Sequence, residues 1–198
     1  GWSLGGVVAY EMARQLRQQK ESVALLALIE SYTPAVVEKI ERRYFKANKL
    51  ETYDDEVVLL LNFAGDLLGF NGEKMPVEAP GSTASPSELF NRIKDLAERS
   101  NLLVPGKSEE QMRRLFRVFE ANTQAMSRYH PKPYDGRITL FCGDESMGAG
   151  ADPEFGWGEM AGGGLLRCDV SGNHYTIIKE PHVRRLAEAL RGSLDSGK

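Results

Sequence analysis

Eight consecutive residues, Ser22 to Ile29 (SVALLALI), form a nearly unbroken apolar run. A strand with one wet face alternates polar and apolar residues, and this one does not. Such a run fits a strand covered on both faces, as in a parallel sheet packed between helices. The run stops at Glu30-Ser31-Tyr32-Thr33-Pro34, which has loop chemistry. Before it, Gly5 to Lys20 reads as a helix, with Val8, Met12 and Leu16 as an apolar stripe at i, i+4 and i+8. Two later segments also read as strands, Arg137 to Cys142 (RITLFC) and Leu165 to Val170 (LLRCDV). The fold class is therefore α/β.

The alternation of strand and helix is interrupted between residues 35 and 130 by a helical insertion. Ala35 to Leu50 is charged and helical in character, and Asp54 to Leu68 carries Val57, Val58, Leu60, Leu61 and Ala64 at helical spacing. Asn71 to Ala84 holds Pro76 and Pro80 and reads as an exposed loop. Ser85-Pro86-Ser87-Glu88 then opens a helix with a capping box, and Ser108 with Gln111 repeats the signal before a helix reaching about Arg128. Tyr134-Asp135-Gly136 is a turn, and eight of the 20 glycines fall between Gly143 and Gly164, which predicts loops and a short helix from Asp152-Pro153. Pro181 to Leu194 closes the chain as a helix. Three regions follow: 1–34 with the first helix and strand, 35–130 with the insertion, and 131–198 with the later strands and last helix.

Composition narrows the function. With 198 residues, 41% of them hydrophobic, the chain suits one globular domain. Its 25 basic and 28 acidic residues nearly balance, which argues against a nucleic-acid binder. No apolar run approaches the roughly 18 residues of a membrane span. Two cysteines make no disulfide framework, and no CxxC or HxxxH spacing suggests a metal site. Cys142 and Cys168 fall on neighbouring strands and read as buried thiols rather than a redox pair.

Gly1-Trp2-Ser3-Leu4-Gly5 matches G-x-S-x-G. In a nucleophile elbow the serine sits on a tight strand-to-helix turn, and the next amide, here that of Leu4, can donate to an oxyanion. The alternative is a glycine-rich helix start with Ser3 as its N-cap. A serine nucleophile needs a base and an acid that orients it. His174 lies in Gly172-Asn173-His174-Tyr175, just beyond a strand, where parallel-sheet enzymes place functional groups. His182 begins a helix and reads as structural or solvated, and His130 follows one and reads as a helix-end residue. Two carboxylates end strands between Ser3 and His174, namely Glu30 and Asp144. Either preserves the order serine, acid, histidine.

Gly1-Trp2-Ser3-Leu4-Gly5-Gly6-Val7-Val8-Ala9-Tyr10-Glu11-Met12-Ala13 strongly resembles the elbow of the thioesterase domains that end nonribosomal peptide synthetases and polyketide synthases. The resemblance continues through Leu25–Pro34, Tyr134–Gly136, Ile138–Phe141 and Trp157. It ends at Gly172–Tyr175 and Glu180–Val183. It implies an α/β-hydrolase with a mostly parallel sheet and residues 35–130 as the lid. Ser3 would attack the thioester that tethers an acyl chain to a carrier protein. His174 would act as base, and the Leu4 amide as an oxyanion donor. Release would be hydrolytic or cyclising. The family usually has aspartate where this chain has Glu30, whose extra methylene the geometry must absorb. Glu30 is the favoured acid and Asp144 the alternative.

The resemblance also implies no bound cofactor, because phosphopantetheine is carried by the partner, an acyl or peptidyl carrier protein. Upstream synthase modules are the other expected partners, and the setting is cytoplasmic, without nucleic acid or membrane. In this family a strand precedes the elbow, and a loop before that supplies a second oxyanion donor. Neither is present ahead of Gly1, so the chain is expected to be an N-terminally truncated fragment with little activity alone. Rival readings are a stand-alone proofreading thioesterase, another esterase, or an inactive carrier-binding module. Leu59, Leu60, Phe63, Phe116 and Phe119 could line an acyl channel or simply pack. Arg42-Arg43 and Arg113-Arg114 could attract an acidic carrier, with a solvated face as the default.

Overall fold

A computed structural model describes residues 1–47, 53–69, 85–104, 106–146 and 152–195. In chain order the main elements are α1 (Leu4–Gln18), β1 (Ala27–Ile29), α2 (Pro34–Ala47), α3 (Asp55–Gly69), α4 (Pro86–Arg99) and α5 (Ser108–Arg128). They are followed by β2 (Ile138–Gly143), β3 (Leu165–Val170) and α6 (His182–Asp195). The expected loop at 71–84 lies outside the described residues, as does the end of the helix expected to reach Leu50.

Residues 1–39 and 129–198 form one compact unit, and 40–128 form another. The first unit is built on a parallel sheet in the order β1-β2-β3. Ala27 is opposite Thr139, and Ile138 is opposite Leu165. Trp2 adds a parallel bridge to Ile29 on the free side of β1. The Ile29 amide donates to the Gly1 carbonyl at 2.8 Å and the Ser3 amide to the Ile29 carbonyl at 3.0 Å. The chain segments that leave Trp2, β1, β2 and β3 therefore all emerge at the same edge of the sheet. That edge is the carboxyl edge, where parallel sheets carry their chemistry.

The apolar run at 22–29 is shorter as a strand than its composition suggests, since only Ala27–Ile29 is β. Pairing extends one step further, through the Thr139 amide to the Leu26 carbonyl at 2.9 Å. β2 is buried along its whole length, which explains its lack of alternation. In α1 the buried face is Gly6, Val7, Tyr10 and Ala13. The expected stripe is on the other side, with Val8, Met12 and Leu16 exposed at 52, 59 and 41%. Tyr10 explains the difference. Its ring lies 4.5 Å from Trp157, and its hydroxyl donates to the Lys132 carbonyl at 2.7 Å. The small residues Gly6 and Ala13 let that face of the helix approach closely.

The helical unit has its own core, made of Val57, Leu60, Leu61, Phe63 and Ala64 of α3 with Leu89, Phe90 and Ile93 of α4 and Met112 of α5. Phe116 and Phe119 pack against Phe63 at 5.4 and 5.5 Å, so these rings serve that core. The capping box of α4 forms as expected, with Ser85 accepting from the Glu88 amide and the Glu88 carboxylate accepting from the Ser85 amide. The second box does not form. Ser108 is already helical, and the Gln111 side chain accepts from the Val104 amide at 2.9 Å instead. The short helix expected from Asp152-Pro153 is displaced to a 3-10 turn at Gly158–Met160. Asp152 instead closes a tight turn by accepting from the Glu154 and Gly156 amides.

Candidate active site

Ser3 occupies the single turn between the Trp2 bridge and α1. Its φ of 54° with ψ of −129° lies in a region that side chains avoid. The neighbouring glycines show why the chain can turn so sharply. A Cβ on Gly1 would collide with the Gly5 carbonyl, and one on Gly6 with the Ser31 side chain. Gly5, by contrast, has open space where a Cβ would be. The close approach thus rests on Gly1 and Gly6, not on both glycines of the G-x-S-x-G pattern. The Ser3 hydroxyl makes no capping bond to α1. Leu4 is the first residue of α1, where N–H groups have no intrahelical acceptor.

Glu30 follows β1 directly and also has a positive φ, 46°. Its side chain is fully buried. The Gly143 amide donates to Oε1, and the Ser146 hydroxyl donates to Oε2 at 2.8 Å. That same Oε2 faces His174 Nδ1 at 3.6 Å. A buried carboxylate needs such partners, because desolvation would otherwise neutralise it.

Asp144 sits elsewhere. Its Oδ1 accepts from the Gly172 amide at 2.9 Å, which ties the loop after β2 to the loop after β3. The Glu145 amide donates to the Gly172 carbonyl at 3.0 Å, and Asn173 Nδ2 donates to Glu145 Oε2 at 3.2 Å. Gly172 has a φ of 105°, and a Cβ on Gly143 would strike its carbonyl. Asn173 completes the loop by accepting from the amides of Tyr175 and Thr176, each at 3.1 Å. Between Glu30 and Asp144, then, the structure brings Glu30 to the histidine and gives Asp144 to the loop that carries it.

His174 is 27% exposed. The Trp2 indole N–H donates to its carbonyl at 3.0 Å, and the two rings lie 5.0 Å apart. The residue beside Ser3 therefore holds the histidine loop directly. In the sequence Trp2 stood out only as part of the family resemblance, not as a residue that holds the histidine loop, and Ser146 did not stand out at all. Trp2 fills an unspecified position of the motif, and Ser146 is one of many loop serines. His182 begins α6 with Nδ1 3.0 Å from the Ser171 hydroxyl, and His130 is exposed after α5.

Cys142 and Cys168 are free thiols, the first buried and the second half-buried. Burial pushes the Cys142 thiol up to about 12, so it stays protonated at neutral pH. Arg113 pairs with Glu109 at 2.6 Å and lies over the Phe90 ring at 5.0 Å. Among the described residues no cluster of potential ligands could hold a metal ion, and no helix is long and apolar enough to cross a membrane.

The family model of the thioesterase domain matches residues 1–194. Enterobactin synthase component F of Escherichia coli (strain K12) is 25% identical over 197 residues, covering 98% of this chain and 12% of that protein. The non-reducing polyketide synthase terA of Aspergillus terreus is 25% identical over 198 residues, covering 96% of this chain and 8% of its own length. The chain thus spans a small part of the curated relatives it matches. Among solved structures, a four-domain nonribosomal peptide synthetase in its holo form, bound to AMP and glycine, superposes with a TM-score of 0.78 at 26% identity. That match covers 97% of this chain and 14% of the other. The NocB thioesterase domain, in covalent complex with a fluorophosphonate nocardicin G analog, superposes with a TM-score of 0.56 at 23% identity, covering 98% and 64%. A positive-φ serine, a buried carboxylate facing a histidine and a parallel sheet that presents both are features of one fold, and the match over nearly the whole chain agrees. The chain belongs to the thioesterase domain family, with the α/β-hydrolase fold of the domains found in nonribosomal peptide and polyketide synthases.

Proposed function

We propose that this chain releases a peptide or polyketide acyl group from a carrier protein through an acyl-serine intermediate. Ser3 Oγ attacks the thioester carbonyl while His174 takes its proton. Glu30 faces the other ring nitrogen and stabilises the imidazolium. The Leu4 amide, in the first turn of α1, donates to the oxyanion. Collapse of the tetrahedral intermediate expels the phosphopantetheine thiol, which His174 protonates. Water or a nucleophile of the acyl chain then attacks the ester, giving a free acid or a cyclic product. In this reading residues 35–130 are the lid. The partner is an acyl or peptidyl carrier domain, as the multidomain synthases among the relatives suggest.

The observation that carries the reading is the buried Glu30 carboxylate 3.6 Å from His174 Nδ1. A buried carboxylate aimed at a partly exposed imidazole is the arrangement that orients a catalytic histidine. Full-length protein carrying this chain is treated with a fluorophosphonate probe. Labelling at Ser3, lost in Ser3→Ala, is expected. No labelling, or labelling that survives Ser3→Ala, overturns the assignment and favours a binding module.

A further inference from the structure

We propose that Ser146 is a positioning residue for the acid, acting on Glu30 and through it on His174. This rests on the reading of Glu30 and His174 given above. The Glu30 oxygen that faces His174 Nδ1 at 3.6 Å is the same oxygen that receives the Ser146 hydroxyl at 2.8 Å. The other oxygen is taken by the Gly143 amide. The two donors leave the carboxyl group one orientation.

A glutamate needs such a tether, because its longer side chain has one more rotatable bond than an aspartate. The Gly143 amide alone fixes one oxygen and leaves the group free to pivot about it. An ionised carboxylate oxygen can accept two hydrogen bonds, so Ser146 does not displace the histidine. It fixes Oε2 where the Nδ1 proton arrives. It also draws charge from that oxygen.

Other titratable groups lie around Glu30. Tyr32 on the same segment is pushed above its ordinary value by burial, and Cys142 of β2 rises to about 12. Arg167 of β3 stays charged, held up by its bond to Asp169. Asp144 and Glu145 in the loop after β2 are engaged with Gly172 and Asn173. Beyond Trp2, the ring beside His174 is Tyr175, at 5.1 Å.

The test uses full-length protein and the rate of fluorophosphonate labelling as a function of pH, which needs no knowledge of the acyl group. Ser146→Ala is expected to slow maximal labelling about tenfold with little change in probe affinity. It should also move the acid limb to higher pH. Ser146→Thr, which keeps the hydroxyl, should restore both. In a Glu30→Asp background the shorter carboxylate no longer reaches Ser146, so adding Ser146→Ala should cost nothing further. Wild-type rate and acid limb in Ser146→Ala, with Glu30→Gln severely impaired, overturn the proposal alone. Full labelling in Glu30→Gln overturns the acid assignment and the proposal together. A thermal melt of each variant identifies loss of folding, and an impaired Thr variant that melts like wild type also counts against the proposal.

Discussion

Replacing Glu30 by glutamine changes the site by one charge at nearly constant shape. The amide oxygen can still accept one of the two bonds that Gly143 and Ser146 donate, and the Ser146 hydroxyl can rotate. What disappears is the negative charge 3.6 Å from His174 Nδ1. At an effective dielectric near 20, a unit charge pair at that distance is worth about 4 to 5 kcal/mol. The pair exists only while the imidazole is protonated, so nearly all of this is lost from the transition state. That corresponds to a rate loss of about a thousandfold. The labelling rate of full-length protein measures it. The control is Asp144→Asn, which keeps the oxygen that accepts from Gly172 and should stay within about threefold of wild type. If Asp144→Asn abolishes labelling while Glu30→Gln retains it, the electrostatic argument is wrong.

Other consequences follow from the same geometry. Trp2→Phe keeps a ring beside His174 but removes the N–H that holds its carbonyl, so labelling should slow about fivefold without loss of thermal stability beyond about 1 kcal/mol. Gly6→Ala forces a methyl group against buried Ser31 and should cost about 1–3 kcal/mol in a thermal melt, whereas Gly5→Ala, with open space, should be neutral or slightly stabilising. Glu11 is held down at about 2 by Arg14, with help from Gln15 and Tyr129. Its folded pKa lies below the unfolded value, so its contribution is complete above about pH 4.5 and is lost as pH falls towards 2. Glu11→Gln should therefore flatten the fall of stability with acidification across that window, as read by denaturant titration.

The parallel sheet was legible because strands buried on both faces cannot alternate, and β2 shows that rule most clearly. The triad candidates were legible because the carboxyl edge of such a sheet is a short list of positions. The choice between Glu30 and Asp144 was not readable from the residues themselves, and only the family resemblance favoured Glu30. Both end strands, and nothing in their neighbours distinguishes a carboxylate turned under a histidine from one capping a loop. A positive φ at Glu30 makes that difference, and φ has no signature in a single sequence. The face of α1 misled for another reason. Hydropathy favours Val8, Met12 and Leu16, but contact with a helix is set as much by what is small. Gly6 and Ala13 admit neighbours that a larger side chain would exclude. The second capping box did not form, and the Gln111 side chain accepts from the Val104 amide instead.

Trp2 has a use beyond holding its neighbour. An indole in ring contact with an imidazole emits less light when that imidazole carries a proton, because imidazolium is an efficient quencher. At 5.0 Å from His174, Trp2 is in range. The only other tryptophan, Trp157, is wholly buried against Tyr10 and contributes a constant background. The site thus carries its own optical gauge of the base. Emission would follow the proton on His174 in real time, with no label added and no substrate known.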